Sequence, residues 1–229
     1  MTANAKLFET ALGIGEPWSV ASVDFDEATK VLTISIDFLP GSRFAVSGHE
    51  GVHPVHDTVS KTYRHLSFFQ HECHLRVRTP RAKLPNGSVR LVEADFAGRL
   101  SGFTLLFEAM ILMLAQQMPF AAVARIVGES AHRVMAVCER YVEIALGLAD
   151  FSEVKALAID ETSRARGHDY ITLAADALER RVLFVTEGRD AETIQALAAD
   201  LAEHGCPPEQ IDSVSIDMSP AFIKGVSEE

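Results

Sequence analysis

The chain has 229 residues, of which 48% are hydrophobic and 23% are charged, and its formal net charge is −11. This length fits one large domain or two to three small ones, and the composition excludes a disordered, collagen-like or disulfide-scaffold protein. The three cysteines lie far apart in the sequence, which favours a reducing cytoplasm. Taken alone, the acidic net charge argues against nucleic acid as a partner, because phosphate binding depends on Lys and Arg.

Charge is distributed unevenly along the chain. Residues 61–99 carry eight basic and three acidic residues, whereas residues 151–229 carry a net charge of −9. The basic block can therefore follow a phosphate backbone, although an ordinary solvated surface has the same signature. Residues 103–114 form an apolar run that is interrupted by Glu108 and is too short to span a bilayer. We therefore expect a buried helix there and no membrane association.

The first predicted module, residues 1–99, begins with a β-hairpin. Apolar and polar residues alternate over 20–25 and over 31–38, and a short polar turn separates the two runs. A further extended segment is predicted over 73–78, where Arg76 and Arg78 are expected to point outward together. A stretch dense in histidine precedes this segment.

The second predicted module, residues 100–150, is helical. Pro119 marks the start of a short helix over 120–127, Gly128 closes it, and Ser130 is a good N-cap for the next helix. Two helices separated by a glycine-containing turn and packed on a third are typical of a helix-turn-helix. The alternative is a helical hairpin that links two domains without touching DNA.

The third predicted module, residues 151–229, has the order β-β-β-α-β. Strands are predicted over 154–159, 168–176, 181–186 and 211–216, and a helix over 190–204. Asp160 and Asp217 each follow an apolar strand run. If the first and fourth strands are parallel neighbours, the two carboxylates lie side by side at one sheet edge, where they could hold Mg²⁺ or Mn²⁺. An aspartate after a strand is also a common turn or cap residue.

Three sequence blocks in this module resemble the transposases of the ISL3 family of insertion sequences. They are LAIDETSRARGHDYITLAAD, RRVLFVTEGRDAETI and VSIDMSPAFIKGV. Residues 103–135 are similar to the helix-turn-helix of that family, and residues 63–83 to a segment of its N-terminal zinc-binding region. The resemblance implies an α+β multidomain protein: a small β, zinc-finger-like N-terminal module, a helix-turn-helix, and a truncated ribonuclease H-like α/β domain.

The resemblance implies a DDE transposase. In that family two aspartates and a later glutamate bind two divalent ions, Mg²⁺ or Mn²⁺, which promote cleavage of transposon ends and attack of the freed 3′ hydroxyl on target DNA. Asp160 matches the first acid and Asp217 the second. The 12 residues after Asp217 contain no counterpart of the glutamate, so we expect an N-terminal fragment that is inactive on its own.

The zinc-binding region departs from the family pattern. Residues 45–49, which occupy the place of the family's Cys-x-x-Cys pair, contain no cysteine. Zn²⁺ accepts both nitrogen and sulfur ligands, so a mixed site is one hypothesis, and a decayed site is the other. The residues assigned to the mixed site are His49, His56, His71 and Cys73.

The predicted DNA-binding residues form two groups. Residues of the second helix of the pair are expected to face base edges, and flanking arginines to approach phosphates. The base-facing residues are Ser130, His132 and Arg133, and the phosphate-facing ones are Arg125 and Arg140. In the basic block, the expected phosphate contacts are Arg76, Arg78, Arg81 and Lys83.

Three functional hypotheses follow. The first is a transposase of the bacterial cytoplasm and nucleoid that binds terminal inverted-repeat and target DNA and is homo-oligomeric in its full-length form. The second is a non-catalytic DNA-binding protein that represses transposition. The third is a metal-dependent nuclease of the same fold. DNA binding that survives loss of Asp160 and Asp217 favours the second, and cleavage without end recognition favours the third.

Overall fold

The structure is a computed structural model that describes residues 3–100, 102–165, 169–217 and 220–228. The chain divides into two compact units, Met1–Ile144 and Ala145–Glu229. The first unit contains both the N-terminal module and most of the predicted helix-turn-helix. The second unit contains the predicted β-β-β-α-β module.

A six-stranded sheet forms the larger part of the first unit. Helix α1 (Ala3–Leu12), which the sequence did not predict, is followed by strands β1 (Trp18–Asp26), β2 (Val31–Phe38), β3 (Arg43–Val46), β4 (His49–Phe68), β5 (His71–Lys83) and β6 (Val89–Leu91). The strand order is β1-β2-β5-β4-β3, and β6 pairs with β5. The predicted antiparallel hairpin of β1 and β2 is confirmed.

The structure shows a long β-hairpin where the sequence predicted a zinc-finger-like module. Strands β4 and β5 pair antiparallel along most of their length. Alternate side chains of β5, including Cys73, Leu75 and Val77, are buried in the core of the sheet. Since period-two burial of this kind drives strand formation without a metal, the segment folds as part of the sheet.

Three helices complete the first unit: α2 (Leu105–Ala115), α3 (Phe120–Val127) and α4 (Ala131–Leu146). A buried apolar cluster joins these helices to the residue Phe103 that precedes them. Its members are Phe103, Phe107, Ile111, Val123, Ala124, Val127, Val134 and Val137. The predicted buried helix is confirmed, since Phe107, Glu108 and Ile111 have no more than traces of exposed surface. Within the described ranges, no helix is long and apolar enough to cross a membrane.

The second unit contains a four-stranded sheet and two helices. Its elements are β7 (Ala156–Ala165), β8 (Asp169–Asp176), β9 (Arg181–Glu187), α5 (Ala191–Glu203), a short 3₁₀ turn (Pro208–Gln210), β10 (Ser213–Ser215) and α6 (Pro220–Glu228). The strand order is β10-β7-β8-β9, so the predicted β-β-β-α-β succession is confirmed. His168, the predicted first residue of the second strand, lies outside the described residues.

Helix α5 crosses between β9 and β10 and covers one face of this sheet. Its buried residues Ile194, Leu197 and Leu201 share a core with Leu157 and Ile159 of β7. The helix begins where the sequence predicted, because Asp190 and Thr193 cap it reciprocally. The crossover makes β10 a parallel neighbour of β7.

Candidate metal and DNA-binding sites

The two candidate metal ligands of the second unit are Asp160 in β7 and Asp217, which lies two residues beyond the end of the parallel neighbour β10. Ser213, Val214 and Ser215 of β10 pair with Ala156, Leu157 and Ala158 of β7. The observed pairing ends at Ser215, and its continuation by two residues would bring Asp217 opposite Asp160. Neighbouring strands lie about 4.8 Å apart, so that continuation would place the two carboxylates side by side.

Alternation along the strands sends both carboxylates away from the core. Ile159 is buried beneath α5, whereas Asp160 and Asp217 are exposed. One carboxylate oxygen of Asp160 accepts a hydrogen bond of 2.8 Å from the Glu161 N–H. Two carboxylates supply the oxygen ligands that Mg²⁺ and Mn²⁺ prefer. Across the described ranges, however, no group of three His, Cys, Asp or Glu side chains could hold a metal.

Glu161 occupies the neighbouring position and was not singled out as a ligand. One of its carboxylate oxygens lies 3.5 Å from the guanidinium of Arg189, which in turn sits 4.0 Å over the ring of Tyr170. The other oxygen is buried and has no hydrogen-bond partner within the described part of the chain. Since strand residues alternate between faces, Glu161 points away from Asp160.

The structure does not bring the predicted zinc ligands together. His65 of β4 pairs with Cys73, and His56 lies nine residues before His65, which corresponds to about 30 Å of strand. His49 is farther still. Cys73 is 1% exposed, and burial raises the pKa of its thiol to about 11. His71 and Cys73 therefore lie at one end of the hairpin, far from His49 and His56.

The turn between α3 and α4 contains the closing glycine and the N-cap serine that the sequence predicted. Gly128 adopts a left-handed conformation with φ of +73°, and its N–H donates to the carbonyl of Ala124. The hydroxyl of Ser130 accepts a hydrogen bond of 3.3 Å from the N–H of Arg133. Ser130 thus caps α4, while His132 in its first turn is exposed.

The arginines of the helix-turn-helix differ in how they are held. The guanidinium of Arg133 lies 2.7 Å from a carboxylate oxygen of Glu129 and 3.9 Å over the ring of Phe103, so it braces the start of α4. Arg140 pairs with Glu143 at 3.3 Å on the exposed side of the helix. Arg125 is exposed at the end of α3.

The basic residues of β5 are exposed, as predicted, but two of them are neutralised. Arg78 makes hydrogen bonds of 3.1 Å to both carboxylate oxygens of Asp37, and Arg81 pairs with Asp57. In the described residues no carboxylate pairs with Arg76 or Lys83, and both are exposed. These two residues keep the positive charge that a phosphate contact needs.

A buried carboxylate in α2 organises the helix-turn-helix, and sequence reasoning missed its role. The carboxylate oxygens of Glu108 accept hydrogen bonds from the N–H groups of Arg99 and Leu100 at 2.8 and 2.7 Å. The hydroxyl of Tyr141 in α4 donates to the same carboxylate at 2.8 Å. The sequence signal for this role was the single acid, Glu108, within the apolar run 103–114. A buried carboxylate requires hydrogen-bond partners, so such an acid indicates a buried polar contact.

A second buried polar cluster joins the helices to the sheet. The N–H of Arg64 in β4 donates to the carbonyl of Gly102 at 2.7 Å, and the N–H of Thr104 donates to the carbonyl of Arg64 at 3.1 Å. The His65 ring lies 2.9 Å from the Thr104 hydroxyl. Burial and the neighbouring Arg64 charge lower the pKa of His65 to about 4, so its ring is neutral near pH 7.

Two parts of the chain match families of known proteins. Residues 92–142 match the helix-turn-helix domain of transposase family ISL3. Residues 157–229 match the DDE domain of the same family, described as a transposase. The helices α2 to α4 fall almost wholly in the first match, and Asp160 and Asp217 both fall in the second.

Whole-chain comparison finds transposases of insertion sequences. The transposase for insertion sequence element IS1001 of Bordetella parapertussis is 29% identical over 225 residues, which is 95% of this chain and 53% of that protein. The transposase for insertion sequence element IS1557 of Mycobacterium tuberculosis is 25% identical over 93% of this chain and 49% of its own length. The chain therefore spans about half the length of these relatives. No solved structure matches it.

Proposed function

The chain belongs to the ISL3 family of insertion-sequence transposases, and from that premise we propose that it binds the terminal inverted repeats of an insertion sequence through α3 and α4. The observation that carries this proposal is the turn between these helices. It is closed by Gly128, capped by Ser130 and braced by Arg133, and it leaves the first turn of α4 open to a ligand. A DNA-binding helix of this type reads the major groove with that first turn.

Individual residues take different roles in this proposal. His132 faces base edges, because it is exposed in the first turn of α4. Arg125, Arg76 and Lys83 approach phosphates, since all are exposed cations. Arg133 is a positioning residue, because Glu129 and the Phe103 ring already hold its guanidinium.

We further propose that the second unit is a ribonuclease H-like domain in which Asp160 and Asp217 bind Mg²⁺ or Mn²⁺. The register of β7 and β10 supports this assignment, because its continuation beyond Ser215 would bring Asp217 beside Asp160. A bound divalent ion would activate an oxygen nucleophile and stabilise charge at a phosphorus centre. The residues themselves position oxygen ligands at an exposed sheet edge, where a DNA strand has access.

The test is binding of fluorescent duplexes that carry the terminal inverted repeat of the element encoding the chain. Arg125→Ala is expected to weaken binding to all duplexes and to lower the salt dependence, whereas His132→Ala should reduce the preference for the repeat over a scrambled duplex. Asp160→Ala should bind DNA as the unaltered chain does. If the unaltered chain binds the repeat no better than the scrambled duplex at any salt concentration, specific end binding is refuted.

A further inference from the structure

The tip of the β4–β5 hairpin has an unusual aromatic turn. Phe68 pairs with His71 across the strands, which leaves Phe69 and Gln70 as a two-residue loop. Both have positive φ, 46° and 68°, as the tight turn of a two-residue hairpin requires. Glycine and asparagine adopt this conformation easily, whereas a bulky aromatic residue is strained in it.

The side chain at this strained position points into solvent. The exposed fraction of Phe69 is 82%, and its ring packs edge-to-face with that of Phe68, with ring centroids 4.5 Å apart. Folding therefore gains little from this residue, since neither its backbone conformation nor its burial is favourable. A contact made with another molecule would account for an aromatic ring here.

The tip lies beside the proposed DNA-reading helix within the same unit. A β-bulge in β4 shifts the register between His65 and Phe68, and Leu66 within it packs against the core of α2 to α4. Glu72 is next to the tip and lies close to Gly128 in the turn before α4. A Cβ added to Gly128 would lie 3.6 Å from the Glu72 carboxylate. Bulges of this kind re-aim the end of a hairpin.

The charges around the tip are compatible with a polyanion. One carboxylate oxygen of Glu72 lies 4.0 Å from the Arg64 guanidinium and the other lies 3.4 Å from the His74 ring, so that acid is compensated. The ammonium of Lys30 lies 5.9 Å from the Phe25 ring, and that ring packs 5.1 Å from His71. Lys30 thus supplies a cation at the same end of the sheet.

We propose that this tip is a second DNA contact, in which the ring of Phe69 stacks on a base of the DNA held by α4. The inference rests on the proposed function, because the neighbouring helix must hold DNA for the tip to reach it. An exposed aromatic ring gains about 1–3 kcal/mol by stacking on an unstacked base, which corresponds to about 5- to 150-fold in affinity. On duplex DNA, aromatic and aliphatic wedges insert between base steps and partly unstack them.

The decisive variant is Phe69→Asn, because asparagine suits the positive φ but cannot stack as phenylalanine does. We expect its melting temperature to equal or exceed that of the unaltered chain, while its affinity for the inverted-repeat duplex falls about 5- to 100-fold. Phe69→Trp should retain the affinity. Leu178→Ala is the matched control, since Leu178 is an exposed apolar residue, 71% exposed, at another hairpin turn.

The contact is read directly with duplexes that carry 2-aminopurine at successive positions. The unaltered chain and Leu178→Ala should each change the 2-aminopurine fluorescence at one position, because the base there is unstacked or stacked on the ring. Phe69→Asn should cause no such change. If Phe69→Asn binds as tightly as the unaltered chain, or if it alters self-association and not DNA binding, the tip is not a DNA contact. If neither the unaltered chain nor Leu178→Ala binds any duplex, both this inference and the proposed function fail.

Discussion

The hydroxyl of Tyr141 in α4 donates a hydrogen bond of 2.8 Å to the carboxylate of Glu108 in α2. Glu108 is fully buried. The partial burial of Tyr141 and the neighbouring Glu108 carboxylate together raise the pKa of the Tyr141 hydroxyl to about 12. The same carboxylate accepts the N–H groups of Arg99 and Leu100. The Glu108 side chain therefore ties the loop at Arg99 and Leu100, helix α2 and helix α4 together.

Glu108→Ala should destabilise the first unit by about 3 kcal/mol or more, because it leaves two backbone N–H groups and a hydroxyl without their acceptor. Tyr141→Phe removes one bond and should cost about 1–2 kcal/mol. Denaturant unfolding followed by the fluorescence of Trp18, the chain's single tryptophan and a buried residue of this unit, measures both. A smaller loss for Glu108→Ala than for Tyr141→Phe would contradict this account.

Gly98→Ala should also destabilise the first unit, by about 2 kcal/mol or more. A Cβ at this position would meet the Glu108 carboxylate and would lie 2.8 Å from the carbonyl oxygen of Phe103, which is backbone and cannot move aside. Gly15→Ala is the control, since a Cβ there meets nothing within 4 Å. Equal unfolding midpoints for the two variants would show that the loop tolerates the added methyl group.

The first unit should lose stability as the pH falls below about 6.5. The pKa of His65 is lowered to about 4 in the folded protein, whereas it is near 6.5 in an unfolded chain. Protons therefore bind preferentially to the unfolded chain between these values, and the contribution, up to about 3 kcal/mol, is complete above pH 6.5 and lost towards pH 4. His65→Gln, which can still bond Thr104, should show a flatter pH dependence of Trp18 unfolding.

The second unit should respond to pH in the opposite direction. The two ring nitrogens of His204 lie 2.8 Å from the carbonyl oxygen of Asp200 and 3.0 Å from that of Leu146, and only a doubly protonated ring donates to both. These carbonyls raise the pKa of His204. Its contribution is therefore present below pH 6.5 and is lost as the pH rises through the raised pKa.

Hydrogen exchange of the α5 amides tests this second pH dependence. Protection should fall as the pH rises above about 6.5, after correction for the intrinsic exchange rate, and the fall should be absent in His204→Phe. The Asp200 carboxylate lies 3.7 Å from the His204 ring, so Asp200→Asn should reduce the change without removing it. An unchanged profile in His204→Phe would refute the assignment.

Mn²⁺ should raise the thermal stability of the second unit if Asp160 and Asp217 bind it. At about 100 times the dissociation constant the ligand contributes about 2.7 kcal/mol, which is a shift of several degrees. Asp160→Asn should abolish the shift. Asp212→Asn removes an exposed carboxylate near the other end of β10 and should retain it; an equal shift in both variants would place the ion elsewhere.

The second unit was largely predictable from sequence because its signals are local. Alternating strands and the helical spacing over 190–204 predicted the order of its elements. The parallel pairing of β10 with β7, which the sequence left as a condition, is observed. The ends of β7 and β10 were misjudged. β7 continues past Asp160 because β8 pairs with it, and this pairing depends on a distant segment.

The N-terminal sheet was predictable in its first hairpin and in the extended segment over 73–78, which lies within β5, but not in its strand order. The histidines between His49 and His74 suggested metal binding, whereas in the structure they are spread along the paired strands β4 and β5, and His53 and His65 are buried. The network of Glu108 and Tyr141 joins residues 33 positions apart. Such contacts depend on tertiary packing, which neither spacing nor composition reveals.

The bridge between Arg64 and residues 102–104 has a practical consequence for dissecting the protein. The bridge consists of two backbone hydrogen bonds, and the Arg64 guanidinium lies 5.2 Å over the Phe107 ring. Strand β4 therefore covers part of the helical core. A fragment that begins after residue 100 would lack this strand and would expose Phe103 and Phe107. The helices proposed to bind DNA are therefore best isolated together with the entire preceding sheet.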